Sequence, residues 1–285
     1  MATVLAVAIA AVSTAGTLVR LAPDVHALAL AFWRVLLVGV LLAPGLRPVG
    51  RRELRLSLVG GLFLALHFWT WFLSLRETSV LRSTLLVCLT PIWASCLEWA
   101  WLGARPSLRF AVGIAVAVAG VGVLVAGGDQ AQGSALGDAL AVAGGMLGAA
   151  YFTIGRVVRR TVPITTYGPL SGLATAGWLA LFAASQGVPL WGFPSSAWWA
   201  IGGLALGPQL LGHVGFNYAV GRLPAAVVAA VVLLEPVGAT GVAAVVLHET
   251  PDGHDVLGAA ITLFGVLVAV WPSQPKVEGA APRPA

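Results

Sequence analysis

Glu235 stands inside an otherwise apolar run, VVLLEPVGATGVAAVVLHETP at 231–251, with Pro236 directly behind it. An acid in such surroundings must pair, take up a proton or border water, because burying an isolated charge is prohibitive. Pro236 has no N–H, so the carbonyl of Val232 lacks its helical partner; Pro91 likewise frees the carbonyl of Val87. Both prolines are therefore read as hinges. Arg34 sits among Phe32, Trp33 and Leu36. It cannot shed its proton and needs an acceptor. Glu235, Glu98 and the freed carbonyls are the candidates. Its fork of N–H groups suits a substrate carboxylate, while the plainer reading is a structural ion pair.

Gln209, His213 and Asn217 step by four and so share one helix face; His67 and Trp71, also four apart, share another. These faces are read as opposite walls of one hollow. Histidine titrates near neutral pH and can carry protons. Asn217 both donates and accepts, which suits a zwitterion. Trp71 offers an apolar wall, and Tyr151, beyond Gly144 and Gly148, reaches the same space. The plainer alternative for the polar face is hydrogen bonding between helices. Other chemistries lack their residues. His248 and His254 are six apart with Pro251 between them, which is wrong for a zinc helix. No glycine-rich phosphate loop is present, and Lys276 is the only lysine. A nucleophile–base pair is not apparent. Cys88 and Cys96 carry no metal spacing. No cofactor is expected.

What must position these residues is a membrane. Of 285 residues 59% are hydrophobic and 9% charged, against about 25% charged in soluble domains. The mean hydropathy is +0.93. The net charge of +5 lacks the basic patch with interleaved aromatics that nucleic acid requires. Apolar runs at 2–20, 26–43, 56–75, 81–102, 109–127, 136–155, 164–184, 196–219, 224–247 and 254–271 predict ten transmembrane helices. The first is expected to be retained, since no basic n-region precedes it. A charge at mid-bilayer costs roughly 2.5–3.5 kcal/mol on insertion scales, so an acid there defaults to function. Trp99, Trp101, Trp198, Trp199 and Trp271 fall near span ends and suit interface anchors, with Glu98 beside them. Asp138 opens the sixth helix and complements its N-terminus.

With the N-terminus inside, twelve Lys and Arg lie on the cytoplasmic side and three, Arg20, Arg76 and Arg82, outside. The positive-inside rule thus favours both termini cytoplasmic. Pro91, Pro106, Gly113 and Gly120 recur 145 residues later as Pro236, Pro251, Gly258 and Gly265, and Trp33 recurs as Trp178; His67 and His213 differ by 146. Five helices per repeat is an odd number, so the halves 1–128 and 134–271 are expected to run inverted, with 272–285 a disordered cytoplasmic tail.

Ala31-Phe32-Trp33-Arg34, Ser74-Leu75-Arg76-Glu77-Thr78-Ser79, Thr90-Pro91, Glu235-Pro236, Leu247-His248-Glu249 and Gly258–Gly265 stand in this order over about 2–271. On these motifs the chain resembles the EamA type of the drug/metabolite transporter superfamily. Leu102-Gly103-Ala104 lacks the acid that often closes the fourth helix in that family. The resemblance implies a small-metabolite carrier, usually an exporter. The expectation is an inner-membrane secondary transporter, not an enzyme, that moves a small polar or amphipathic metabolite outward by alternating access. An amino acid is among the substrates considered. Proton coupling and uncoupled movement are both allowed, as are monomer and homodimer. The rival classes are a membrane-embedded enzyme and a non-transporting assembly partner. Single cysteines placed at 50 and at 160 in a cysteine-free background should label with an impermeant maleimide only from the cytoplasmic face. Labelling of the two from opposite faces would refute the inverted arrangement.

Overall fold

The structure, a computed structural model, describes residues 1–102, 107–127, 134–220, 231–232 and 234–271. Arg105, Pro106, Arg222 and the predicted tail lie outside these residues, as does the side chain of Glu98. The predicted first span is two helices, α1 (Ala2–Val12) and α2 (Ala15–Arg20). At the break Thr14 turns its hydroxyl onto the Ala11 carbonyl at 2.7 Å, a local bond that competes with the helical ladder. Next come α3 (Ala27–Leu42) and the long α4 (Arg51–Glu77). The predicted fourth span is again two pieces, α5 (Val80–Val87) and α6 (Thr90–Leu102). Pro91 opens the ladder there, and Thr90 Oγ1 donates to the freed Val87 carbonyl at 2.8 Å.

Then follow α7 (Leu108–Gly127), α8 (Ala135–Val158), α9 (Ile164–Ser185) and α10 (Ser195–Leu204). A π-helical segment, Ala205–His213, leads into α11 (Val214–Val220). Pro208 lies inside this segment; its missing N–H and its ring disturb the ladder of an ordinary α-helix. Of the predicted span 224–247, residues 224–230 and 233 lie outside the described residues; Glu235 opens α12 (Glu235–Val246), and α13 (Gly253–Val270) follows behind an Asp252–Asp255 capping box. Pro91 and Pro236, expected as kinks within continuous helices, instead stand in the first turns of α6 and α12. Their i+4 hydroxyls match: Ser95 Oγ donates to the Pro91 carbonyl at 2.9 Å and Thr240 Oγ1 to the Pro236 carbonyl at 2.7 Å.

No β-strand occurs among the described residues. Five helical segments there are long and apolar enough to cross a bilayer: Ala2–Arg20, Ala27–Gly45, Arg51–Glu77, Val80–Leu97 and Ala135–Val158. Shorter apolar helices, at Leu108–Gly120, Glu235–Val246 and Gly253–Ala269, accompany them. The protein is a multi-pass helical membrane protein. Asp138, expected to complement the N-terminus of α8, has another partner. Ser134 caps that helix, and the Asp138 carboxylate takes Arg82 Nη2 at 2.7 Å. Arg82, expected in an outer loop, is buried within α5.

Small residues decide which helices meet, because in lipid the close approach of backbones replaces the hydrophobic drive. α4 and α8 run antiparallel, with Gly60 against Ile154, Gly144 against Thr70 and Trp71, and Gly137 against Glu77. α3 meets α9 where Gly39 lies on Leu173 and Gly172 on Gly39. α7 and α13 cross tightly. A Cβ on Gly113 would stand 2.6 Å from the Gly265 carbonyl, and one on Gly120 2.9 Å from the Gly258 carbonyl. Midway, Thr262 Oγ1 reaches the Ala117 carbonyl at 3.4 Å. In the 145-residue register Gly113 corresponds to Gly258, Gly120 to Gly265 and Ala117 to Thr262. Each of the two glycine contacts is thus the image of the other.

A Cβ at Gly265 would lie 2.3 Å from the Ala117 nitrogen, so the two helices must part to admit one. Gly265→Val is expected to cost about 1–3 kcal/mol or more, read as a lowered melting temperature of the purified protein. An unchanged melt would mean the crossing is not this close.

Candidate functional site

α3 is buried continuously from Ala27 to Val35, and Arg34 lies within that run with 0% of its surface exposed. Its guanidinium carbon rests 4.3 Å from the centre of the Phe68 ring and 5.7 Å from that of Phe72. Stacking a guanidinium on aromatic faces in a desolvated site is favourable. Arg34 Nε donates to Gln209 Oε1 at 2.9 Å. Neither Glu235 nor a freed carbonyl is the acceptor, and the side chain of Glu98 lies outside the described residues. A neutral amide on the π-helical segment takes the bond, and among the described residues no carboxylate forms a salt bridge with Arg34. Nη1 and Nη2 are buried and have no hydrogen-bond partner among the described residues. Gln209 thus holds one edge of the guanidinium and leaves the paired Nη edge available.

Glu235 is also buried, 9% exposed, in the first turn of α12. The positive end of that helix favours a carboxylate. Cys88 Sγ, at the α5–α6 break, lies 4.0 Å from Glu235 Oε2, so the two helix breaks face each other. Glu235 and Arg34 act on each other electrostatically without touching.

Gln209 and His213 do share a face: the first reaches Arg34, and the second packs its ring on Phe68 at 5.4 Å, edge to face. His67 turns elsewhere. Its Nδ1 is 2.8 Å from the Gly144 carbonyl, and a Cβ on Gly148 would come within 2.9 Å of the same nitrogen. His67 is therefore seated in the Gly144/Gly148 notch of α8, stacked on Trp71 at 6.0 Å. The ring between His213 and Arg34 is Phe68. Sequence reading passed over it, although it follows His67 directly. Asn217, half-buried, lies on α11. Tyr151 belongs to another contact: its hydroxyl is 3.5 Å from Ser171 Oγ on α9. The structure thus brings together Arg34, Glu235, His213 and Gln209, with His67 and Trp71 one layer behind and Tyr151 apart.

A cavity of about 470 Å³ opens at one end of the bundle. Arg20, Arg76, Glu77, Glu249 and Asp255 supply its charges, and His248 lines it as well. Thr240 and Ala243 of α12 also line it. None of Arg34, His67, Trp71, His213, Asn217 and Glu235 does, so the hollow expected around Glu235 is not this one. At its rim Arg20 Nη2 meets Glu249 Oε1 at 2.9 Å, and Glu249 Oε2 accepts from the Val80 N–H at 3.0 Å. Among the described residues no cluster of His, Cys, Asp and Glu is arranged to hold a metal ion.

The EamA-like transporter family matches the chain twice, over residues 1–126 and 135–271. The chain belongs to that family. The family is one of transporters. The chain is similar to a probable terminal-alkyne amino-acid exporter of Streptantibioticus cattleyicolor, with 28% identity over 191 residues. That match spans 65% of this chain and 62% of the relative. A solved crystal structure shares the fold with a TM-score of 0.67 at 23% identity, covering 94% of this chain and 95% of the other.

Gln209→Leu would leave Arg34 Nε unpaired and buried, at a cost of about 1–3 kcal/mol or more for a charged donor. The expected outcome is a lower melting temperature, largely restored in Gln209→Glu. Equal melts for Gln209→Leu and the wild type would show that the bond contributes nothing.

Proposed function

We propose that the chain exports a small amino acid, recognised as a zwitterion between Arg34 and Glu235. The observation that carries this reading is the pairing left undone. A fully buried arginine presents two Nη groups that have no hydrogen-bond partner among the described residues, near a buried acid with which it forms no salt bridge. A carboxylate on the Nη fork and an ammonium on Glu235 would complete both, with bidentate geometry at the arginine. Phe68, Phe72 and Trp71 give apolar surface for a side chain. The name of the Streptantibioticus relative supports the same class and the outward direction. His213, Asn217 and His67 stand as polar wall and proton-carrying groups, and Tyr151 as a more distant wall residue.

The carrier has ten spans in two inverted halves, 1–128 and 134–271, with both termini in the cytoplasm and the cell membrane as its site. The mirrored glycine contacts between α7 and α13 support this, since a two-fold axis in the membrane plane maps such a crossing onto itself. Alternating access rocks the halves at Pro91 and Pro236, where the ladder is already open. Closing the site around the zwitterion strengthens both ionic contacts by excluding water.

Liposomes containing the purified protein should exchange labelled neutral amino acids by counterflow. Arg34→Lys keeps the charge and loses the fork, so exchange should drop about tenfold or more; Glu235→Gln should reduce it similarly. Undiminished exchange in both variants would remove the central site, and absence of exchange for every amino acid offered to the wild type would remove the substrate class.

A further inference from the structure

The cavity at the end of the bundle holds charges of both signs that do not cancel. Arg20 is neutralised by Glu249, and Arg82, just behind the lining, by Asp138. Arg76 is different. It donates to the backbone carbonyls of Ala22, Pro23 and Val25, and among the described residues it forms no salt bridge. Its Nε is buried and has no hydrogen-bond partner among the described residues. Glu77 and Asp255 line the same cavity and, among the described residues, form no salt bridge either. Asp255 is 4% exposed, and among the described residues it accepts a long bond, 3.4 Å, from the Asp252 N–H within its capping box. An unmatched cation with unmatched carboxylates in one hollow complements a molecule that carries both charges a few ångströms apart. The volume of about 470 Å³ far exceeds the roughly 30 Å³ that one water occupies. Hydroxyls of Thr78, Ser79 and Thr240 complete the polar lining.

The position of the cavity gives the arrangement a purpose. Glu235 begins α12, and Thr240, five residues on, reaches the cavity wall. That is about 7.5 Å of helical rise. A molecule leaving the centre along α12 meets this chamber next. We propose that the cavity is a second binding site for a small amino acid in its zwitterionic form, with the carboxylate toward Arg76 and the ammonium toward Glu77 and Asp255. The proposal rests on the amino-acid reading above. Because this site opens to solvent, its ionic contacts are screened, and it binds more weakly than the centre and more weakly still as salt rises.

The test is equilibrium binding of tritiated L-leucine to the purified full-length protein in nanodiscs, with stoichiometry measured by scintillation proximity. The wild type should bind two molecules per chain with two affinities. Arg76→Gln and Glu77→Gln should each weaken the lower-affinity phase about tenfold and leave the other in place, while Arg34→Gln should remove the higher-affinity phase alone. A single site that Arg34→Gln abolishes and that Arg76→Gln and Glu77→Gln leave intact overturns the second site and sustains the central one. A single site with the opposite sensitivities upholds the cavity and overturns the centre. Absence of binding to the wild type overturns both. Arg76 also ties down the 22–25 turn, so should Arg76→Gln fail to fold, Glu77→Gln, at an exposed side chain, decides.

Discussion

A guanidinium with no exposed surface, held in the middle of an apolar helix, sets the terms for the rest of the bundle. Arg34 cannot neutralise itself by losing a proton. Its desolvation must be met by fixed partners, and these come from separate elements. Gln209 from the π-helical segment takes Nε, while Phe68 and Phe72 from α4 lie beside its plane. α3, α4 and the π segment are therefore tied together at a polar point inside the bundle. Leaving the Nη edge without a partner is costly unless something transient fills it.

The backbone obeys the same constraint. At membrane depth an open carbonyl is tolerated only beside protein or water. The breaks at 13–14 and 88–89 satisfy this with hydroxyls, Thr14 on Ala11 and Thr90 on Val87. Downstream of each proline a matched hydroxyl, Ser95 or Thr240, binds the proline's own carbonyl. The chain is thus divided into half-helices whose ends meet at Cys88 and Glu235, and the carboxylate occupies the end where the helix dipole favours it. Breaking helices at the acid rather than bending them allows a charged group to be buried and still stabilised.

Charge at the end of the bundle is organised by another logic. Arg20 and Glu249 are about one-third and one-fifth exposed, so their pair contributes about 0–1 kcal/mol. The Arg82–Asp138 pair is nearly dry, and removing one partner there would cost about 3–5 kcal/mol. The first bridges Arg20 before α3 and Glu249 after α12; the second joins α5 to α8. Both ion pairs thus join the two stretches that the family matches, 1–126 and 135–271, Arg20 with Glu249 and Arg82 with Asp138.

The amino-acid sequence by itself determined the medium and the helical class, and it marked the polar residues that the bundle had to bury. These follow from composition and from where Glu235, Arg34 and His213 interrupt apolar runs, and such signals are local. It also carried the 145-residue register that the glycine contacts of α7 and α13 later mirrored. Pairing belonged to the tertiary structure alone. Hydropathy marks Arg34 as needing an acceptor but says nothing of which helix will stand beside it, and the neutral Gln209 gave no electrostatic hint. His67 and Phe68 are adjacent in the chain yet point to different helices, because on an α-helix successive side chains diverge by about 100°. The small residues of α8 decided which of the two met Gly144 and which met the arginine. Close packing is a property of surfaces brought together by the whole chain, and no single segment contains it.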